Sequence, residues 1–135
     1  MNQGLHAALT DQIVSCGIEV HKHLGPGLFE SVYESALCLE LTSAGLSYKR
    51  QIGVPLYYKG HLLSEHLVVQ DAVIIEVKAV ESVADIYLAQ MLTYLRVTGL
   101  RVGLVLNFNT PVLARGIRRV SLYLCAAVSL WPLTA

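Results

Sequence analysis

The chain has 135 residues, a length that one domain accounts for, and 54% of the residues are hydrophobic while 15% are charged. This composition supports a buried core and excludes an intrinsically disordered chain. The formal net charge is +0, so the protein as a whole carries no excess charge for binding a polyanion. We therefore expect a single folded domain over residues 1–135.

Two helices are predicted near the N-terminus. The first begins at Thr10, a plausible N-cap, and ends at Leu24, before Gly25-Pro26-Gly27. His21 lies on the apolar face of this helix, where we expect a hydrogen-bonded core histidine and not a metal ligand. The second helix runs from about Leu28 to Gly45 and carries Glu30 in its first turn, where the helix dipole favours a carboxylate.

Three extended segments follow, over residues 46–58, 61–69 and 73–80, and can form an antiparallel meander. The third is apolar except for Glu76 and Lys78, which share one face of the strand. Burying charged groups in a strand costs free energy unless an opposite charge pairs with them or they bind a ligand. Two readings stay open: Glu76 binds a divalent metal while Lys78 positions a water, or the two form an ion pair on an exposed edge strand.

A third helix is predicted over residues 82–98, with Gln90 and Tyr94 four residues apart on one face. A buried strand over 101–108 and a final strand over 116–123 follow. The last stretch, residues 122–135, carries no charge and is shorter than the roughly 20 residues that span a bilayer. We expect it to pack on the domain or to cover a homo-oligomer interface, and we expect no membrane partner.

The cysteines and the charge distribution bear on location and partners. Cys16, Cys38 and Cys125 form no metal-binding pattern, and their odd number without an N-terminal leader indicates a reducing, cytoplasmic setting. All acidic residues lie at or before Asp85, and the arginines after it are Arg96, Arg101, Arg115, Arg118 and Arg119. This asymmetry permits a C-terminal basic surface for nucleic acid, although scattered solvated arginines explain it equally well.

Several motifs then point to one family. The segment Gly27-Leu28-Phe29-Glu30-Ser31-Val32-Tyr33 resembles the signature of the GxxExxY family, a branch of the PD-(D/E)XK nuclease-like superfamily. Tyr58-Lys59-Gly60, residues 73–80, residues 89–95 and Asn107-Phe108-Asn109 extend the match to roughly residues 10–120, which leaves 122–135 as an apolar extension. The resemblance implies an α/β fold: a mixed central sheet, made of a three-stranded antiparallel meander and two further strands, flanked by helices, two of them N-terminal.

The resemblance also implies a site. In active relatives a helix Glu, a second-strand Asp and the Glu of an ExK motif gather Mg²⁺ or Mn²⁺, and phosphodiester bonds of DNA or RNA are hydrolysed. Carried onto this chain, Glu30 matches the helix acid, Glu76 and Lys78 match the central pair, and Gln90 and Tyr94 match a supporting pair on the next helix.

One position departs from the family pattern. Ten residues before Glu76, where relatives carry the metal-binding Asp, this chain has His66. A neutral imidazole removes a negative charge and replaces a hard oxygen with nitrogen, which favours Mn²⁺ or Zn²⁺ over Mg²⁺. Three states are open: an inactive or impaired site, which we rank first; a site rescued by Glu65 through a β-bulge; and a metal site formed by Glu30, His66 and Glu76.

These observations leave three functional hypotheses. The chain is a metal-dependent nuclease, or a non-catalytic nuclease fold that binds nucleic acid through its C-terminal arginines, or a protein-interaction module that uses its apolar tail with Trp131.

Overall fold

The computed structural model describes residues 4–53, 57–59, 61–62 and 65–122. In chain order the elements are α1 (Ala7–Leu24), α2 (Glu30–Ser43), β1 (Tyr48–Gly53), β2 (Tyr57–Tyr58), β3 (His61–Leu62), β4 (Glu65–Val69), β5 (Val73–Lys78), α3 (Asp85–Thr98), β6 (Val102–Asn107) and β7 (Ile117–Ser121). A 3₁₀ turn over Leu113–Gly116 precedes β7.

Five strands form one sheet in the order β1-β4-β5-β6-β7, and β2 and β3 form a separate small hairpin. The strands β1, β4 and β5 are an antiparallel meander, β6 runs parallel to β5, and β7 runs antiparallel to β6. Helix α3 makes the crossover that a parallel pair requires. The predicted α/β fold, with a mixed sheet flanked by helices, is confirmed. The first two predicted strands are shorter than expected, because β2 and β3 lie between β1 and β4.

The sheet is buried on both faces. On one face, Ile75 and Leu104 belong to a core formed with α1 and α2. On the other face, Ile74 and Val105 pack with Met91 of α3. Covering both faces explains why β5 and β6 read as nearly continuous apolar runs.

Two details of α1 test the sequence predictions. The prediction of Thr10 as an N-cap is wrong, because α1 begins at Ala7 and the Thr10 hydroxyl donates to the Ala7 carbonyl oxygen at 3.0 Å inside the helix. The extra turn lets Leu9 pack against the core, which outweighs a capping preference of about 1 kcal/mol. His21 is a core histidine as predicted: it is 8% exposed, and its Nε2 lies 2.8 Å from the carbonyl oxygen of Thr110.

The described cysteines are not candidates for nucleophilic chemistry. Cys16 and Cys38 are buried free thiols. Burial raises the pKa of both, which keeps them protonated and unreactive. Cys125, Trp131 and the rest of the apolar extension from residue 123 lie outside the described residues. Within the part of the chain that the structure describes, no helix has the length and apolar character needed to cross a bilayer.

Candidate functional site

The candidate site lies where the sheet opens between β4 and β5. These strands pair at Leu67↔Ile75, Val68↔Ile74 and Val69↔Val73, and their ladder then ends. The next two positions, His66 and Glu76, continue the same register and therefore lie opposite each other on one face. On the outer sides, β1 remains paired with β4 and β6 with β5.

A pocket of about 230 Å³ occupies this opening. Its polar lining comes from both helical and strand residues: Glu30, Ser31, Glu34, His66 and Glu76. Three predicted metal ligands thus face one cavity, although facing a cavity does not by itself bring their ligating atoms together.

The closest contact in the site is between His66 and Glu76. Nδ1 of His66 lies 2.8 Å from Oε2 of Glu76, and the two side chains are 2% and 22% exposed. The ring of His66 also packs against the ring of Tyr94, with centroids 4.1 Å apart. The imidazole is therefore fixed between a carboxylate and an aromatic ring.

Lys78 lies beside the same carboxylate. Its Nζ is 3.7 Å from Oε1 of Glu76 and 4.6 Å from the centre of the Tyr87 ring, and its side chain is 18% exposed. The ammonium group therefore contacts both an acid and an aromatic face, a combination that stabilises a partly buried cation. The sequence alternative of an ion pair is correct for Glu76 and Lys78, but β5 is a central strand and not an edge strand.

Glu30 is placed by the loop before α2. It is the first residue of that helix, and its Oε2 accepts a hydrogen bond of 3.1 Å from the backbone N–H of Ala79, just after β5. Tyr33, one turn later, is 0% exposed and holds the loop: its hydroxyl donates to the Gly25 carbonyl oxygen and accepts from the Leu28 N–H. The Glu and Tyr of the signature thus act together, because the loop that Tyr33 holds through Gly25 and Leu28 sets where α2 and Glu30 begin.

The two predicted supporting residues on α3 differ in their surroundings. Tyr94 contacts His66, whereas Gln90 is exposed and its side chain makes no hydrogen bond with any described residue. The supporting role of Gln90 therefore stays a prediction.

Sequence reasoning missed two residues of the site. Glu34 lines the pocket one helical turn after Glu30 and pairs with Arg50, whose Nε lies 3.2 Å from Oε2 of Glu34. Tyr87 supplies the ring beneath Lys78 and lies two turns before Tyr94 on α3. Helical spacing from Glu30 and Tyr94 is the signal that could have found both residues.

The contacts of these side chains bear on the divalent metal that the resemblance implies. Among the described residues, no three His, Cys, Asp or Glu side chains are grouped so as to hold a metal ion. Glu76 faces His66 and Lys78, while Glu30 is bonded to Ala79. The side chain of Glu65, the possible substitute ligand, lies outside the described part. The irregularity in β1–β4 pairing falls in β1, between Lys49 and Ile52. These contacts do not fit a dedicated metal centre, and the ligand roles of Glu30, His66 and Glu76 stay predictions.

The comparisons with known proteins agree with the fold. A family model described as the PD-(D/E)XK nuclease superfamily matches residues 7–120. Searches of curated proteins and of solved structures give no match. The matched region runs from α1 to β7 and includes the opening of the sheet with Glu76 and Lys78. The chain therefore belongs to the PD-(D/E)XK nuclease superfamily.

Proposed function

We propose that this chain is a nuclease-fold protein of the GxxExxY branch that binds nucleic acid without hydrolysing it through a metal. The observation that carries the proposal is the 2.8 Å approach of His66 Nδ1 to Glu76 Oε2. A basic side chain occupies the position where the resemblance expects the second carboxylate of a metal site.

The chemistry of the pair opposes metal binding. Two carboxylates at this point would repel each other and would be stabilised by a shared cation. An imidazole carries no negative charge, so this repulsion is absent, and Glu76 has a side-chain contact at 2.8 Å without a metal. A divalent ion would have to displace that contact, and it would find one carboxylate ligand fewer here than in a site that has Asp at this position.

Packing holds the His66 ring in its position beside Glu76. Its side chain is 2% exposed and lies against the ring of Tyr94. Without a bound Lewis acid, the site lacks the group that would neutralise the phosphoryl oxygens and lower the pKa of an attacking water. Phosphodiester hydrolysis by the superfamily's metal chemistry is therefore not expected of the wild-type protein.

The arginines support a role in nucleic-acid binding. No described carboxylate forms an ion pair with Arg101, Arg115, Arg118 or Arg119. The register places Arg118 beside Val105 and Val105 beside Glu76, so Arg118 lies in one cross-strand row with the site, about 10 Å from β5. Positive charge in this position can contact the backbone of a nucleic acid that reaches the opening of the sheet.

The substitution His66→Asp tests the proposal by gain of function. Wild type, His66→Asp and the matched control His66→Asn are titrated calorimetrically with Mn²⁺ and with Mg²⁺, and each is assayed on single-stranded and double-stranded DNA and RNA. We expect metal binding and cleavage in His66→Asp alone. Both should disappear in the double variant His66→Asp/Glu76→Ala.

The opposite result would favour metal-dependent hydrolysis. If wild type binds Mn²⁺ or Mg²⁺ and Glu76→Ala abolishes that binding, the His66–Glu76 pair does not block the site and the proposal fails. The cytoplasmic location, the homo-oligomer and the choice between Mg²⁺ and Mn²⁺ stay predictions.

A further inference from the structure

We propose that a pocket at the other end of the sheet binds a phosphate group. It has a volume of about 290 Å³, and Arg101, Arg119 and Ser121 line it together with the backbone at the start of the chain. It lies where β6 begins and β7 ends, since Val102 pairs with Ser121. The candidate nuclease site lies further along β6, where Glu76 pairs with Val105, about 10 Å from Val102 along the strand. The two sites are therefore separate.

Arg119 is held in place before any ligand binds. Its Nη1 donates to the Ser121 hydroxyl oxygen at 2.6 Å, and its Nη2 donates to the carbonyl oxygen of Leu5. The guanidinium lies against Gly4, where an added Cβ would be 2.8 Å from Nη2. A guanidinium fixed in this way loses little conformational freedom on binding. Because the Ser121 oxygen accepts from Arg119, its own proton is left to donate to a ligand.

The pocket contains unbalanced positive charge. No described carboxylate lies within 4.0 Å of the guanidinium groups of Arg101 and Arg119. No acidic residue follows Asp85 in the sequence. Two like charges in one pocket repel each other, and an anion that contacts both relieves the repulsion.

Phosphate fits this set of groups better than a carboxylate. Its several oxygens can accept from two guanidinium groups and one hydroxyl at the same time, and its charge of up to two matches the two arginines. A single carboxylate would leave one arginine without a charge partner. The phosphate can belong to a small phosphorylated molecule or to a nucleic-acid backbone, so this inference goes beyond the proposed function.

Calorimetric titration of the full chain with inorganic phosphate tests the pocket directly. Arg101 is exposed, so Arg101→Gln is a mild change, and Lys22→Gln is the control that removes one positive charge from an exposed position in the last turn of α1, outside both sites. We expect Arg101→Gln to weaken phosphate binding at least about tenfold, the loss expected for one charge-assisted hydrogen bond. Lys22→Gln should change it by less than about twofold, because Lys22 lies at the far end of α1 from this pocket and salt screens its charge.

A second variant separates shape from charge. Arg119→Lys keeps the charge but loses the planar fork, and we expect weaker phosphate binding with an unchanged circular-dichroism spectrum. Equal weakening by Arg101→Gln and Lys22→Gln would indicate diffuse attraction and would overturn the proposal. So would wild-type protein that does not bind inorganic phosphate.

Oligonucleotides distinguish the source of the phosphate. If Arg101→Gln weakens binding of an oligonucleotide with a 5′-hydroxyl, the pocket holds a backbone phosphate. If it weakens only inorganic phosphate and a 5′-phosphorylated oligonucleotide, the pocket holds a terminal phosphate. If the protein binds inorganic phosphate but no oligonucleotide, the phosphate pocket is supported and nucleic-acid binding as the proposed function is refuted.

Discussion

Tyr33→Phe should lower the free energy of unfolding by about 1–3 kcal/mol, because it removes two hydrogen bonds from a wholly buried side chain. The phenyl ring stays, and so does its stacking on Phe108, where the ring centres are 4.6 Å apart. The loss is then confined to the bonds with Gly25 and Leu28, each contributing about 0.5–1.5 kcal/mol net. Leu28 is 41% exposed, so water can hydrogen-bond to its N–H group, and the full free-energy cost of an unsatisfied buried donor does not apply.

Urea unfolding followed by circular dichroism measures this change by linear extrapolation. Tyr87→Phe is the matched control, because the Tyr87 hydroxyl forms no hydrogen bond with the described residues and the ring beneath Lys78 is kept. We expect the control to lose less than about 0.5 kcal/mol. A loss of that small size in Tyr33→Phe, or equal losses in the two variants, would refute the argument that Tyr33 fixes the loop before Glu30.

Two further predictions concern the arginine row and the packing of β6. In Arg118→Gln, the slope of the logarithm of the oligonucleotide binding constant against the logarithm of salt concentration should become shallower by about 1. Fluorescence anisotropy over a salt series measures this slope. An unchanged slope would exclude Arg118 from the nucleic-acid-binding surface. Gly116→Ala should lower the free energy of unfolding by about 1–3 kcal/mol, because its Cβ would lie 2.1 Å from the backbone oxygen of Asn107. Gly103→Ala should cost less unfolding free energy, since its Cβ would meet the flexible side chain of Met91 at 2.3 Å. Urea unfolding measures both variants, and a larger loss in Gly103→Ala than in Gly116→Ala would contradict this reading.

The sequence contains the information that pairs His66 with Glu76. The two residues are equally distant from Asp71, in the turn that joins β4 and β5. Residues at equal distances from a tight turn lie opposite each other in an antiparallel hairpin, and their side chains share a face. Strand periodicity and turn position therefore predict this part of the site from local features alone.

Other parts of the site depend on how elements pack, and the local pattern does not determine them. Lys78 meets Tyr87 because of the direction in which α3 crosses the sheet. Glu34 reaches the pocket because of the angle at which α2 approaches β5. The start of α1 was misplaced for a related reason: the Thr10 capping preference is local, while the packing of Leu9 against the core is tertiary.

The position of β7 has a consequence for self-association. Among the strands that the structure describes it is an outer one, and an outer strand presents unpaired backbone groups that a second chain can extend. Arg118 and Arg119 are adjacent in β7, and Arg115 lies in the turn before it. Two copies joined through this strand would bring their arginines together, and the repulsion opposes such pairing. Arginines suited to attract phosphate thus also protect this edge against aggregation, and a bound polyanion would remove that protection.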